Sequence, residues 1–159
     1  MVNAEDLRDA HQQQLYRDQS RSEKKDEQEV AHIFALEVAA CIQNRTPGMN
    51  LERYAHFFVL RSAGPADVAT LKKALNVFAN LQMVNIETNR TIHTKLDSEI
   101  INAIDAFCAD GQGRRQLITQ GAMYRLTLAF NFFTSAQDTF PEGFKNTANF
   151  VFKNVFRTE

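Results

Sequence analysis

The sequence predicts an all-α fold: a single helical domain of about five to seven helices, with one small β-hairpin as an option near residues 83–94. Three observations predict it. Apolar residues recur at three- and four-residue spacing through most of residues 27–156, the period of a helix face. Breakers punctuate that pattern at helix-sized intervals: Pro47-Gly48, Gly64-Pro65, Gly111 with Gly113, and Phe140-Pro141. Finally, residues 123–156 hold eight of the thirteen phenylalanines, Phe130, Phe132, Phe133, Phe140, Phe144, Phe150, Phe152 and Phe156. Taking one Phe side chain out of water is worth about 1.5–3 kcal/mol, so this segment is expected to be covered by the other helices or by another molecule.

Composition sets the outer limits. At 159 residues, 44% apolar and 23% charged, the chain has the make-up of one globular domain that needs neither disulfide nor metal to fold. A formal charge of −1 gives no overall positive excess of the kind nucleic-acid binders show. Charge is uneven, with an acidic head over residues 1–29 and a mildly basic tail over 114–159. Cys41 and Cys108 lie in apolar helical patterns and read as small buried hydrophobes, not as a disulfide framework or zinc ligands. No signal-peptide core and no membrane-length apolar run stands out, so the expected setting is a reducing cytoplasm, with no membrane partner.

Along the chain, residues 1–26 read as a polar arm or solvated helix, and residues 27–159 as the helical domain. Val30, Ile33, Phe34, Val38 and Cys41 predict a helix from residue 27 to about 43. Asn50 is placed to cap a short helix over residues 51–61. Pro65 suits the first turn of a helix over 66–82, whose Val68, Leu71, Leu75 and Phe78 form a stripe opposite Lys72, Lys73, Asn76 and Asn80. Residues 83–94 alternate weakly, as a hairpin or as a loop into the next helix. That helix, to residue 109, turns Leu96, Ile100, Ala103, Ile104 and Phe107 inward. Residues 114–134 are apolar around most of their circumference, which predicts a helix sandwiched at the centre. In the last helix Phe144, Ala148, Val151, Phe152 and Phe156 share a face, and Phe150 falls off it as the candidate exposed interface aromatic.

No catalytic signature emerges. Glu29-Val30-Ala31-His32 has the Glu-x-x-His spacing of di-iron bundles, but no second such pair accompanies it. Glu52 with His56, and His93 with Asp97, are spaced for local hydrogen bonds only. Gly111-Gln112-Gly113 before Arg114 and Arg115 resembles half of an anion-binding turn, and a helix stop explains it more simply. The chain is therefore expected to be no enzyme, with no cofactor and no metal.

Two binding functions remain. The first is a non-enzymatic helical assembly or interaction protein that associates with itself or another protein through Phe140, Phe144, Phe150, Phe152 and Phe156. The second is a winged helix-turn-helix regulator over residues 50–94, with Lys72, Lys73, Asn76 and Asn80 reading DNA and Arg90 at the wing; Arg114 and Arg115 would add charge. Against the second, the region lacks a strong positive field. Phe130-Asn131-Phe132, followed by Phe156-Arg157-Thr158-Glu159, resembles the end of the core in coat proteins of flexible filamentous plant viruses. Those proteins share a Phe-Asp-Phe motif; here Asn131 stands in place of the acid, and the likeness spans about thirty residues. The resemblance implies self-assembly and adds weight to the first reading.

Overall fold

The computed structural model describes residues 1–47, 58–60, 65–110 and 112–158, with side chains described at all of these but 46–47, 58–60 and 65. Six helical runs make up most of the described chain. They are α1 (Ala10–Gln19), α2 (Leu36–Gln43), α3 (Pro65–Leu75), a continuous rod, α6 (Gln120–Ala136) and α7 (Glu142–Asn154). The rod joins α4 (Ile86–Thr88) through a wide π-type turn, Asn89–His93, to α5 (Thr94–Asp110). Three short strand pairs tie the helices together. β1 (Gln28–His32) runs antiparallel to β4 (Leu81–Asn85), β2 (Arg45–Pro47) antiparallel to β3 (Phe58–Leu60), and β5 (Gln116–Ile118) parallel to β6 (Phe156–Thr158).

The mostly α architecture is as expected; several boundaries are not. The helix expected from residue 27 is β1 followed by an extended link, and α2 starts only after Ala35. The reason is tertiary. Ile33 N–H donates to the Asn80 carbonyl at 2.8 Å and Phe34 N–H to Asn80 Oδ1 at 2.7 Å, which holds the link extended where helical spacing alone would have continued. No hairpin occupies residues 83–94. Met83, Val84 and Asn85 pair with Val30, Glu29 and Gln28, and the second half of the supposed hairpin is helical. Asn85 starts that rod by accepting from the Glu87 and Thr88 amides. The helix expected over 66–82 stops at Leu75, before β4. Residues 116–118 of the helix expected from residue 114 form β5. The expected helix over 51–61 lies outside the described residues except at Phe58–Leu60, which are strand.

The polar head is docked at its very start. Val2 and Leu7 are buried, while α1 buries none of its residues. Asn44 clamps both sides of Val2, accepting from its N–H at 2.9 Å and donating to its carbonyl at 2.8 Å. Asn76 Nδ2 donates to the Leu7 carbonyl at 2.8 Å and to Lys72 at 2.7 Å. Buried amides bridging backbone from distant segments act as staples, because each would leave several unsatisfied groups if removed.

The core is a phenylalanine cluster. Phe34, at the entrance to α2, has ring centroids 6.0–6.4 Å from Phe133, Phe140 and Phe144 and 5.6 Å from Phe152. Phe140 stacks on Phe144 at 5.2 Å. Each such pair contributes about 0.5–1.5 kcal/mol beyond the area it buries. Helix α2 packs against α5 and α7, and α5 against α6, around this centre.

Candidate functional site

The aromatic tail is used up by the core. Phe140, Phe144 and Phe156 are buried, and Phe152 packs edge-on against Phe34. These four were expected at an interface; the rings of Phe140, Phe144 and Phe156 are instead covered by the chain itself, and that of Phe152 is half-buried. Phe150 is half-buried, its ring 6.1 Å from that of the buried Phe107, so it is not the freely exposed aromatic the sequence suggested.

Apolar side chains are left open at Val77, Phe78 and Ile92 and, on a single helix face, on α6. Its inner face, Ala122, Arg125, Leu126, Ala129, Phe132 and Phe133, is buried. Its start is fixed by Thr119, which caps the Ala122 amide and is itself gripped by Glu99 of α5. The outer face differs from the sandwiched helix expected: Tyr124 is 68% exposed and Leu128 39%, and Leu117 of the adjoining β5 is 49% exposed. The other exposed positions of α6 are Gln120, Gly121, Thr127, Asn131, Thr134 and Ser135, so the face carries no charge at all. Thr127 and Ser135 turn their hydroxyls back onto the Met123 and Phe132 carbonyls, both at 2.8 Å, which makes the face less polar still. Asn131, where the coat-protein motif has its acid, sits on this face.

The residues expected to read DNA are dispersed. Asn76 and Asn80 are buried staples, not outward readers, since Asn80 also donates to the Phe34 and Leu75 carbonyls. Lys72 and Lys73 flank a recess of about 510 Å³ with Val77 and Phe78 on its wall. Arg90 pairs with Glu29 at 3.1 Å. Arg114 pairs with Asp110 at 2.5 Å, holding that carboxyl below its usual range, and Arg115 donates to the Phe156 carbonyl at 3.1 Å. Gly113 has φ 68°, a left-handed conformation that suits glycine, and the turn serves to redirect the chain into β5.

Glu29 and His32 also part company. On a strand, residues three apart face opposite sides. Glu29 goes to Asn89 and Arg90, and His32 Nε2 meets Asn76 Oδ1 at 2.9 Å. His93 does not bond Asp97; its Nδ1 lies 3.4 Å from Asn89 Oδ1. The Glu52–His56 pair lies outside the described residues. Of the cysteines, Cys41 is buried and its thiol is pushed up to about 12 by burial; the Cys108 thiol is also raised and lies 3.4 Å from Arg45 Nε. Among the described residues no three His, Cys, Asp or Glu side chains gather as a metal would require, and no helix is long and apolar enough to cross a membrane.

Sequence reasoning missed one constellation entirely. A cleft of about 180 Å³ opens where β1, the start of α2, the π-type turn, α5 and α6 converge. His32, Glu37, Arg90, Asp97 and Arg125 line it, with Arg8 from the head at its edge. Arg125 and Asp97 form a two-pronged ion pair, Nε to Oδ1 at 2.6 Å and Nη2 to Oδ2 at 3.0 Å, with both residues 8% exposed. Burial pushes the Asp97 carboxyl up, and the guanidinium works against that rise. Burial likewise lowers His32 below the usual imidazole value, so the ring is neutral near pH 7. π-type turns recur at functional sites, and this one delivers Asn89 and Arg90 to the cleft. The signal in the sequence was Arg125, the one charged residue of α6; its partner Asp97, 28 residues earlier, is one of several charges on α5.

No family model matches the chain, and neither a curated protein nor a solved structure does.

Proposed function

We propose that the protein is a non-enzymatic assembly subunit that associates with a second copy of itself through the outer face of α6. What supports this is the uncharged outer face of α6, where Tyr124 and Leu128 are exposed and which the chain leaves uncovered on one side. A helix apolar nearly all round is normally enclosed. A copy of the same face is a suitable cover, because a two-fold contact sets like against like and an uncharged face meets no like-charge repulsion there. Size sets the strength. Seventeen residues make a helix about 25 Å long and 10–12 Å wide, a footprint of about 250–300 Å². A standard stable interface buries about 800 Å² per partner, so α6 with its flanks supports a concentration-dependent dimer more readily than an obligate one. The test is the double substitution Tyr124→Glu with Leu128→Glu, followed by sedimentation velocity. Association should disappear while the far-ultraviolet circular dichroism stays that of the parent; unchanged association would refute the assignment.

A further inference from the structure

The cleft beside His32 and Arg125 goes beyond that reading. Its hydrogen-bonding state is fixed by its surroundings. Asn76 spends both protons of Nδ2 on the Leu7 and Lys72 carbonyls, so its Oδ1 faces His32 and the proton of that bond belongs to His32 Nε2. In the neutral ring Nδ1 is then a bare acceptor, and among the described residues it makes no hydrogen bond. Arg125 mirrors it. The side chain is nine-tenths buried, Nε and Nη2 are committed to Asp97, and Nη1 makes no hydrogen bond among the described residues. Both residues line the same cleft.

Two further features add donors. Helix α2 is preceded by Ala35, whose methyl cannot cap it, and Leu36 and Glu37 in its first turn line the cleft. The free N–H groups and dipole of such a terminus attract negative charge. Charges lining the cleft are the guanidiniums of Arg8, Arg90 and Arg125 against the carboxylates of Glu37 and Asp97, with Glu29 behind Arg90. Size favours a small ligand. About 180 Å³ is well short of the ~300–1,000 Å³ of a drug-sized site.

We propose that this cleft binds a small oxyanion bearing an O–H donor next to its charge, as a hydrogen phosphate group or a short α-hydroxy carboxylate does. The charged oxygens take Arg125 Nη1 and the α2 amides, the hydroxyl donates to His32 Nδ1, and Arg90 and Arg8 close the rim.

The experiment is an amide and imidazole ¹H–¹⁵N titration of the full chain with inorganic phosphate, lactate and sulfate, each at constant ionic strength. Saturable shifts centred on the Leu36 and Glu37 amides and the His32 ring are expected with phosphate, lactate or both. Phosphate alone identifies a phosphoryl ligand, and lactate alone a carboxylate. Sulfate, which carries no proton at neutral pH, should bind at least tenfold more weakly than the better of the two. Arg90→Gln, a rim change on an exposed side chain, should weaken binding about tenfold with the spectrum otherwise preserved. The proposal fails if neither phosphate nor lactate saturates, if sulfate binds equally well, or if Arg90→Gln leaves the affinity unchanged.

Discussion

Asp97→Ala removes the carboxylate that faces Arg125 across the α5–α6 contact. In the parent, two charge-assisted bonds of 2.6 and 3.0 Å join residues that are each 8% exposed. The substitution strands a guanidinium that is 8% exposed and meets solvent only at the cleft, and breaking a buried pair in this way costs about 3–5 kcal/mol. Domains of this kind are stable by about 5–15 kcal/mol, so one side chain would remove about a fifth or more of the margin. At about 2–4 °C per kcal/mol for a chain this long, the melting temperature should fall by about 6–20 °C. Replacing both partners, Asp97→Leu with Arg125→Met, removes the charge and its counter-charge together and should be near neutral or stabilising, because apolar isosteres avoid the desolvation of two ions. Urea unfolding followed by circular dichroism of the parent, Asp97→Ala, Asp97→Leu, Arg125→Met and the double Asp97→Leu with Arg125→Met completes the cycle. A loss below about 1 kcal/mol for Asp97→Ala, or a double variant worse than either single, would refute the description of the pair as buried and mutually dependent.

Two other outcomes follow from local geometry. His32 is held neutral by burial, with its titration also influenced by Arg8, which lowers it, and by Glu37 and the Asn76 bond, which raise it. Its folded pKa lies below the unfolded 6.5, so its contribution to stability is present above pH 6.5 and is lost as pH falls through the folded value. Urea midpoints should therefore decline from pH 7.5 to 5.5, and His32→Gln should flatten that slope; an unchanged slope would contradict the assignment. Gly121 sits in the first turn of α6 on its open side, where an added Cβ would come no nearer than 3.5 Å to Leu96. Gly121→Ala should thus be neutral or stabilising by up to about 1 kcal/mol in the same unfolding assay, since helix propensity favours it and nothing obstructs it. A loss of stability would show that the glycine is needed.

What the sequence revealed depended on whether a signal was local. The stripes of α3, α5 and α7 were legible because repeated apolar spacing is a property of a few consecutive turns. β1 was not, since Val30, Ile33 and Phe34 satisfy helical spacing, and what makes the segment extended is its pairing with β4 and the tie from Phe34 to Asn80, 46 residues further on. Asn76 and Asn80 were read as solvent-facing because a polar side chain opposite an apolar stripe usually is; their backbone partners lie on other elements. The cleft was hidden for the same reason, being assembled from residues that no short window contains. α6 is the instructive case. Its apolar girth was visible, and the inference that it must be covered on all sides placed the cover within the chain, where the structure leaves Tyr124 and Leu128 open.

That open face carries the central claim, and the solution mass of the parent chain tests it most directly. Light scattering on a sizing column, repeated over a wide range of loading concentrations, should show a mass rising from the 18.1 kDa of one chain towards twice that value. A mass that stays at one chain at every concentration would contradict self-association through α6.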